Sequence, residues 1–160
     1  MRIAIASIGR LKAGPERELV ARYADRFEAV GRGIALGPLS ILEAAESQAR
    51  RDADRRGEEA AALRAARPDG ALAVALDERG ADLDSAAFAA MLREARDGGR
   101  RDVAFVIGGP DGLDPAMRSA CARVIRFGAM TLPHQLARVV LCEQLYRAAT
   151  LIAGHPYHRA

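Results

Sequence analysis

The chain has 160 residues, half of them apolar and 28% charged, which describes one folded domain (1–160) with its own core and excludes a disordered chain. No apolar run approaches the ~20 residues of a membrane span, and residues 3–8 are too quickly followed by charge to be a signal peptide. The net charge of +3 divides unevenly: 16 basic minus 17 acidic residues over 1–99 gives −1, whereas 8 minus 4 over 100–160 gives +4, so any anionic partner is expected to meet the C-terminal part.

Residues 2–8 read as a strand ending at Gly9. Pro15 then opens a helix carrying Leu19, Tyr23, Phe27 and Val30 at helical spacing, stopped by Gly31 and Gly33. Residues 34–42 predict a second strand, weakened by Gly37-Pro38. Ser47 is placed as the cap of a helix reaching Ala66, whose mixed-charge run over 50–59 reads as a solvated face or mobile loop. Residues 71–76 predict a buried strand ending in Asp77-Glu78-Arg79-Gly80, and Asp84-Ser85 caps a helix over 86–96 with Phe88, Met91 and Leu92 inward. A strand over 103–107 runs into Gly108-Gly109-Pro110-Asp111-Gly112. Asp114-Pro115 starts a short helix, Val124-Ile125 form a brief strand, and Pro133 opens the last helix, which Gly154 ends. The apolar stripe of that helix (Leu136, Val139, Val140, Leu145, Tyr146, Ala149, Ile152) is broader than one sheet face requires and suggests a second copy of the chain. Alternating strands and helices predict a mostly parallel α/β layer fold. Cys121 and Cys142 lie far apart without metal-ligand spacing and are expected as buried thiols in a reducing cytoplasm.

Three stretches carry chemistry. The 108–112 loop lies where α/β proteins bind ligands, after a buried strand and before a helix. It lacks both the Walker lysine and the dinucleotide fingerprint, so it is either a tight turn or a cradle for a ligand without phosphates. Residues 127–132 form an apolar turn that can hold an adenine by stacking and backbone hydrogen bonds, or can be buried core. The tail His155-Pro156-Tyr157-His158-Arg159 has too few ligands for zinc. Proton transfer by His158, anion contact by Arg159 and base stacking by Tyr157 suit its composition better. Glu143 and Arg147 are spaced as a helix-surface ion pair.

Taken together, residues 107–113, Thr131-Leu132-Pro133-His134 with Arg138, residues 143–148 and the tail 155–159 resemble the bacterial large-subunit rRNA pseudouridine N3-methyltransferases of the SPOUT class, along the whole chain. The 76–80 strand end also fits, while residues 47–67 match only as a helical region, and nothing functional is carried over there. The resemblance implies an α/β fold closed by a C-terminal trefoil knot, against the general rule that chains do not thread. It implies S-adenosylmethionine bound by Leu76, Gly108, Gly109, Phe127, Gly128, Ala129, Met130, Thr131 and Leu132. It also implies a cytoplasmic homodimer with the final helices at its interface and no metal. The substrate would be a pseudouridine of 23S rRNA (family position 1915) on assembled ribosomes.

The mechanism expected on that basis is in-line methyl transfer to N3. His158 and Arg159 ease the loss of the N3 proton, Arg147 completes the catalytic set and joins Arg138 in holding phosphate, and His155 and Tyr157 contact the RNA. The rivals are a knotted or KH-like RNA-binding protein without methyl transfer, since Gly109-Pro110-Asp111-Gly112 has the G-x-x-G form, and a nucleotide-binding enzyme of another kind.

Overall fold

The computed structural model describes residues 1–158, the side chain of His158 excepted. Five strands, β1 (Arg2–Ile8), β2 (Leu39–Ala44), β3 (Leu72–Asp82), β4 (Asp102–Ile107) and β5 (Arg123–Arg126), form one parallel sheet in the order β2-β1-β4-β3-β5. The helices are α1 (Pro15–Gly31), α2 (Asp52–Ala66), α3 (Ser85–Asp97), α4 (Pro115–Ser119) and α5 (His134–Ile152), with short 3-10 turns at Arg32–Ile34 and Pro156–His158.

Side chains alternate along the strands, and the two faces of the sheet differ in bulk. Ile3, Ile5, Val74, Leu76, Val103, Phe105 and Ile107 join Phe27 of α1, Phe88 and Leu92 of α3, and Leu141 and Leu145 of α5. The opposite face presents mainly small groups, with Ala6, Ala75, Ile8 and Val106 against Ala60 and Leu63 of α2 and Met117 of α4. Bulky strand residues thus meet three helices, and alanines let the other two approach closely.

The expected alternation of elements holds, with three differences. The second strand begins after Gly37-Pro38, a cis peptide, and residues 32–34 instead continue α1 as a 3-10 turn. Ser47 caps no helix: its Oγ accepts from the Ala49 amide at 3.1 Å and donates to Glu58 at 2.5 Å, and α2 starts only at Asp52. The broad stripe of α5 is largely used within the chain, because α5 packs against both α1 and α3 and buries residues on several sides. Asp84 and Asp114 cap as expected, accepting from the Ala87 and Met117 amides at 2.7 and 2.9 Å. No helix among the described residues is long and apolar enough to cross a membrane.

Candidate active site

Strands β3, β4 and β5 are neighbours with the same direction, so their C-terminal ends deliver three loops to one place. There they enclose a cleft of about 630 Å³, within the range of small-molecule sites. Leu76 and Asp77-Glu78-Arg79 come from β3, residues 107–113 follow β4, and Ile125 to Gly128 come from the end of β5. Met130, Thr131, Leu132, Pro133 and the first turn of α5 close it. Of the nine residues expected to hold the cofactor, all but Ala129 line this cleft.

Two local features shape its walls. The β3–β5 pairing shifts register between Leu76 and Ala81, and the extra residues carry Glu78 and Arg79 out to form a rim beside the buried Asp77 side chain. Gly80 lies within that bulge; a Cβ there would sit 2.5 Å from the backbone carbon of Ile125, so only glycine fits. In the second loop the Gly112 amide donates to the Gly109 carbonyl at 3.0 Å and closes the turn.

The acids of the cleft are matched by arginines. Arg118 donates to Asp77 at 3.3 Å, Arg126 donates twice to Asp82 just outside the wall at 2.9 and 2.8 Å, and Arg55 donates to Asp111 at 2.5 Å. The hydrogen bond from Arg55 holds the Asp111 carboxyl below its ordinary range. Asp77 and Asp111 thus carry matched charges, whereas Arg79 stands exposed at the rim.

Arg138 corrects an expectation. It is fully buried, not a surface contact for RNA: its guanidinium donates to Gly9 O at 2.8 Å, to Ile8 O at 3.4 Å and to Glu43. Burial lowers its pKa while Glu43 opposes the shift. The side chain ties α5 to the ends of β1 and β2.

The remaining predicted residues stand apart from the cleft. Arg147 forms the expected pair with Glu143, donating from Nε at 3.0 Å and Nη2 at 2.7 Å. From His134 at the cleft to Arg147 is roughly 20 Å along α5 at ~1.5 Å per residue. Tyr157 turns back onto the same helix, its ring 4.5 Å from that of Tyr146 with the Arg147 guanidinium 5.3 Å from its centre. His155 is exposed, and its Nδ1 accepts from the Tyr157 amide at 3.2 Å. One chain therefore brings together the residues expected to hold the cofactor, Ala129 excepted, and leaves Arg147, His155 and Tyr157 at the far end of α5. Arg159 and the side chain of His158 lie outside the described residues.

Sequence reasoning missed the part played by α2. Arg55 grips the glycine loop, and Glu59 is 4% exposed beneath it. The available signal was spacing: Glu59 falls four residues before Leu63, on the buried face of the helix. Both cysteines are free; burial pushes the Cys142 thiol up to about 12 and also raises Cys121.

A parallel sheet with helices on both faces and a ligand-sized cleft over adjacent strand ends defines an α/β protein with a candidate small-molecule site. The chain belongs to the SPOUT methyltransferase family: the family described as "Predicted SPOUT methyltransferase" matches residues 1–158. It is similar along its whole length to proteins named ribosomal RNA large subunit methyltransferase H. That of Xanthobacter autotrophicus is 54% identical, that of Bradyrhizobium diazoefficiens 56% and that of Rhizobium meliloti 52%, each over 160 residues with 100% of both chains covered. Among solved structures, a probable methyltransferase of Bordetella pertussis shares the fold with a TM-score of 0.53 at 18% identity, covering 92% of this chain and 96% of that one. A probable methylase family protein of Haemophilus influenzae does so with a TM-score of 0.55 at 14% identity, covering 99% and 70%.

Proposed function

We propose that this protein methylates N3 of a pseudouridine in a 23S rRNA stem-loop, family position 1915, using S-adenosylmethionine on assembled ribosomes in the cytoplasm. The observation that carries this reading is the convergence of Leu76, the 108–112 loop and the 127–132 turn on one cleft, in a chain at least half identical to named rRNA methyltransferases.

The cleft suits the cofactor chemically. Phe127, Met130 and Leu132 offer apolar surface for an adenine, and the exposed Glu78 carboxylate would meet a cationic group of the bound cofactor. Arg79 and Arg126 can meet a carboxylate at the same rim. Bound there, S-adenosylmethionine would supply an electrophilic methyl group. The rest falls to the chain: the cleft walls orient the donor, and His158 with Arg159 eases removal of the N3 proton. Arg147, steadied by Glu143, meets the RNA backbone, and His155 and Tyr157 contact the nucleotide. Arg138 has no part in this.

Because Arg147 and Tyr157 lie at the far end of α5 from the cleft, the site is completed in a homodimer, with one protomer's tail serving its partner's cleft. The trefoil knot belongs to the same proposal. It is supported by the path of the chain from edge strand β5 across the strand ends to β1 and β2, where Arg138 binds Gly9 and Glu43.

The decisive test incubates ribosomes from a strain lacking this gene with the purified protein and labelled S-adenosylmethionine, then identifies labelled nucleosides by mass spectrometry. N3-methylpseudouridine in 23S rRNA is expected. No label with cofactor binding intact would favour a ribosome-associated protein without this activity; no binding would overturn the cofactor reading of the cleft.

A further inference from the structure

We propose that Arg55 and Glu59 of α2 are positioning residues that hold the 109–111 loop in its cofactor-binding form, although neither lines the cleft. The inference rests on the cofactor reading above and adds to it a helix whose charges look like an ordinary solvated run. Arg55 forks the Asp111 carboxylate, with Nε donating to Oδ2 at 2.5 Å and Nη2 to Oδ1 at 3.2 Å. Its remaining donors are committed to Asp52 at 2.7 Å and to the carbonyls of Ala49 and Arg50 at 3.1 and 3.2 Å. A guanidinium used this fully is a fixed post, unable to swing towards a ligand.

Two residues earlier the loop rests on Glu59. A Cβ at Gly109 would stand 2.9 Å from Glu59 Oε2 and 2.9 Å from Ile8 Cγ2, so the bare backbone of Gly109 lies directly on the carboxyl group and the end of β1. Glu59 is itself held, since Oε1 accepts from the Ser47 amide at 3.1 Å, while Oε2 is buried without a partner among the described residues. The loop is thus gripped at Asp111 and supported at Gly109 by one rigid helix. Released, it would have to be ordered at the expense of binding energy. Unmasking Asp111 would favour a cationic ligand, but that opposing effect is screened in a hydrated cleft.

The test is calorimetric binding of S-adenosylmethionine and of S-adenosylhomocysteine, which lacks the sulfonium charge, to wild type, R55A, R55K, D111N and R55A/D111N, with melting temperatures recorded alongside. We expect R55A to weaken both ligands about three- to tenfold, R55K to recover part of the loss, and the double variant to bind no worse than D111N. Melting should change little. Unchanged affinity in R55A, tighter binding of S-adenosylmethionine alone, or full additivity in the double variant would overturn the clamp. A wild-type chain that binds neither ligand would overturn the cofactor reading and the clamp with it.

Discussion

Glu59 is a carboxyl group removed from water, and burial raises its pKa above the ordinary range; the Ser47 amide and Arg55 oppose the shift, and Asp111 and Glu46 add to it. An acid whose folded pKa is raised stabilises the fold fully below its unfolded pKa, and that contribution is lost as pH rises through the folded value. E59Q keeps an oxygen for the Ser47 amide but cannot ionise. Urea midpoints measured from about pH 4 upwards should therefore start together and separate as pH rises, with E59Q falling less steeply; parallel curves would mean that Glu59 ionises without penalty. Gly80 offers a second test, since the atoms that a Cβ would strike belong to the Ile125 backbone and cannot rotate away. G80A is expected to destabilise the protein by about 3 kcal/mol in urea denaturation; a loss below about 0.5 kcal/mol would show that β5 can step aside. Helical spacing hinted at the burial of Glu59, but nothing in the sequence marked what either residue packs against. A glycine at the end of a strand and a glutamate in a charged run are common, and only the packing partner gives each its meaning.

Elements were more legible than their contacts. Asp84 and Asp114 mark helix starts because a short acceptor before an apolar run satisfies otherwise unpaired amides. The continuous apolar strands announce a sheet covered on both faces. Ser47 misled because its hydroxyl bonds the backbone two residues on, a local turn that competes with capping. Arg138 misled because composition cannot distinguish an arginine that faces solvent from one that joins two elements. Its burial makes a prediction opposite to a phosphate contact. R138A should lower stability by about 3 kcal/mol, leaving two strand-end carbonyls without this donor and Glu43 with the Leu11 amide but no cation. Unchanged urea unfolding with weaker RNA binding would restore the surface role.

For the molecule as a whole, both loops that line the cleft could be found from sequence, because glycine after a buried strand and an apolar turn before a proline are local patterns. Their meeting with β3, and their distance from Arg147 and Tyr157, depend on strand order and on the length of α5, which no local pattern encodes. If the site is shared between two chains, two inactive variants should rescue each other. A variant with its cleft blocked at Gly108 and an H158A tail variant, mixed and refolded together, should regain methyl transfer on ribosomes. Failure of the mixture, with mixed dimers demonstrated by native mass spectrometry, would require cleft and tail to act within one chain.

The seat of α5 between α1 and α3 also bears on how the protein is born. Residues 134–152 follow all five strands in the chain, yet they pack against both α1 and α3 in the larger core and, through Arg138, join the ends of the first two strands. Synthesis at about 5–20 residues per second makes α1 and α3 before the helix that covers their inner faces. The larger core therefore closes only once α5 has joined α1 and α3.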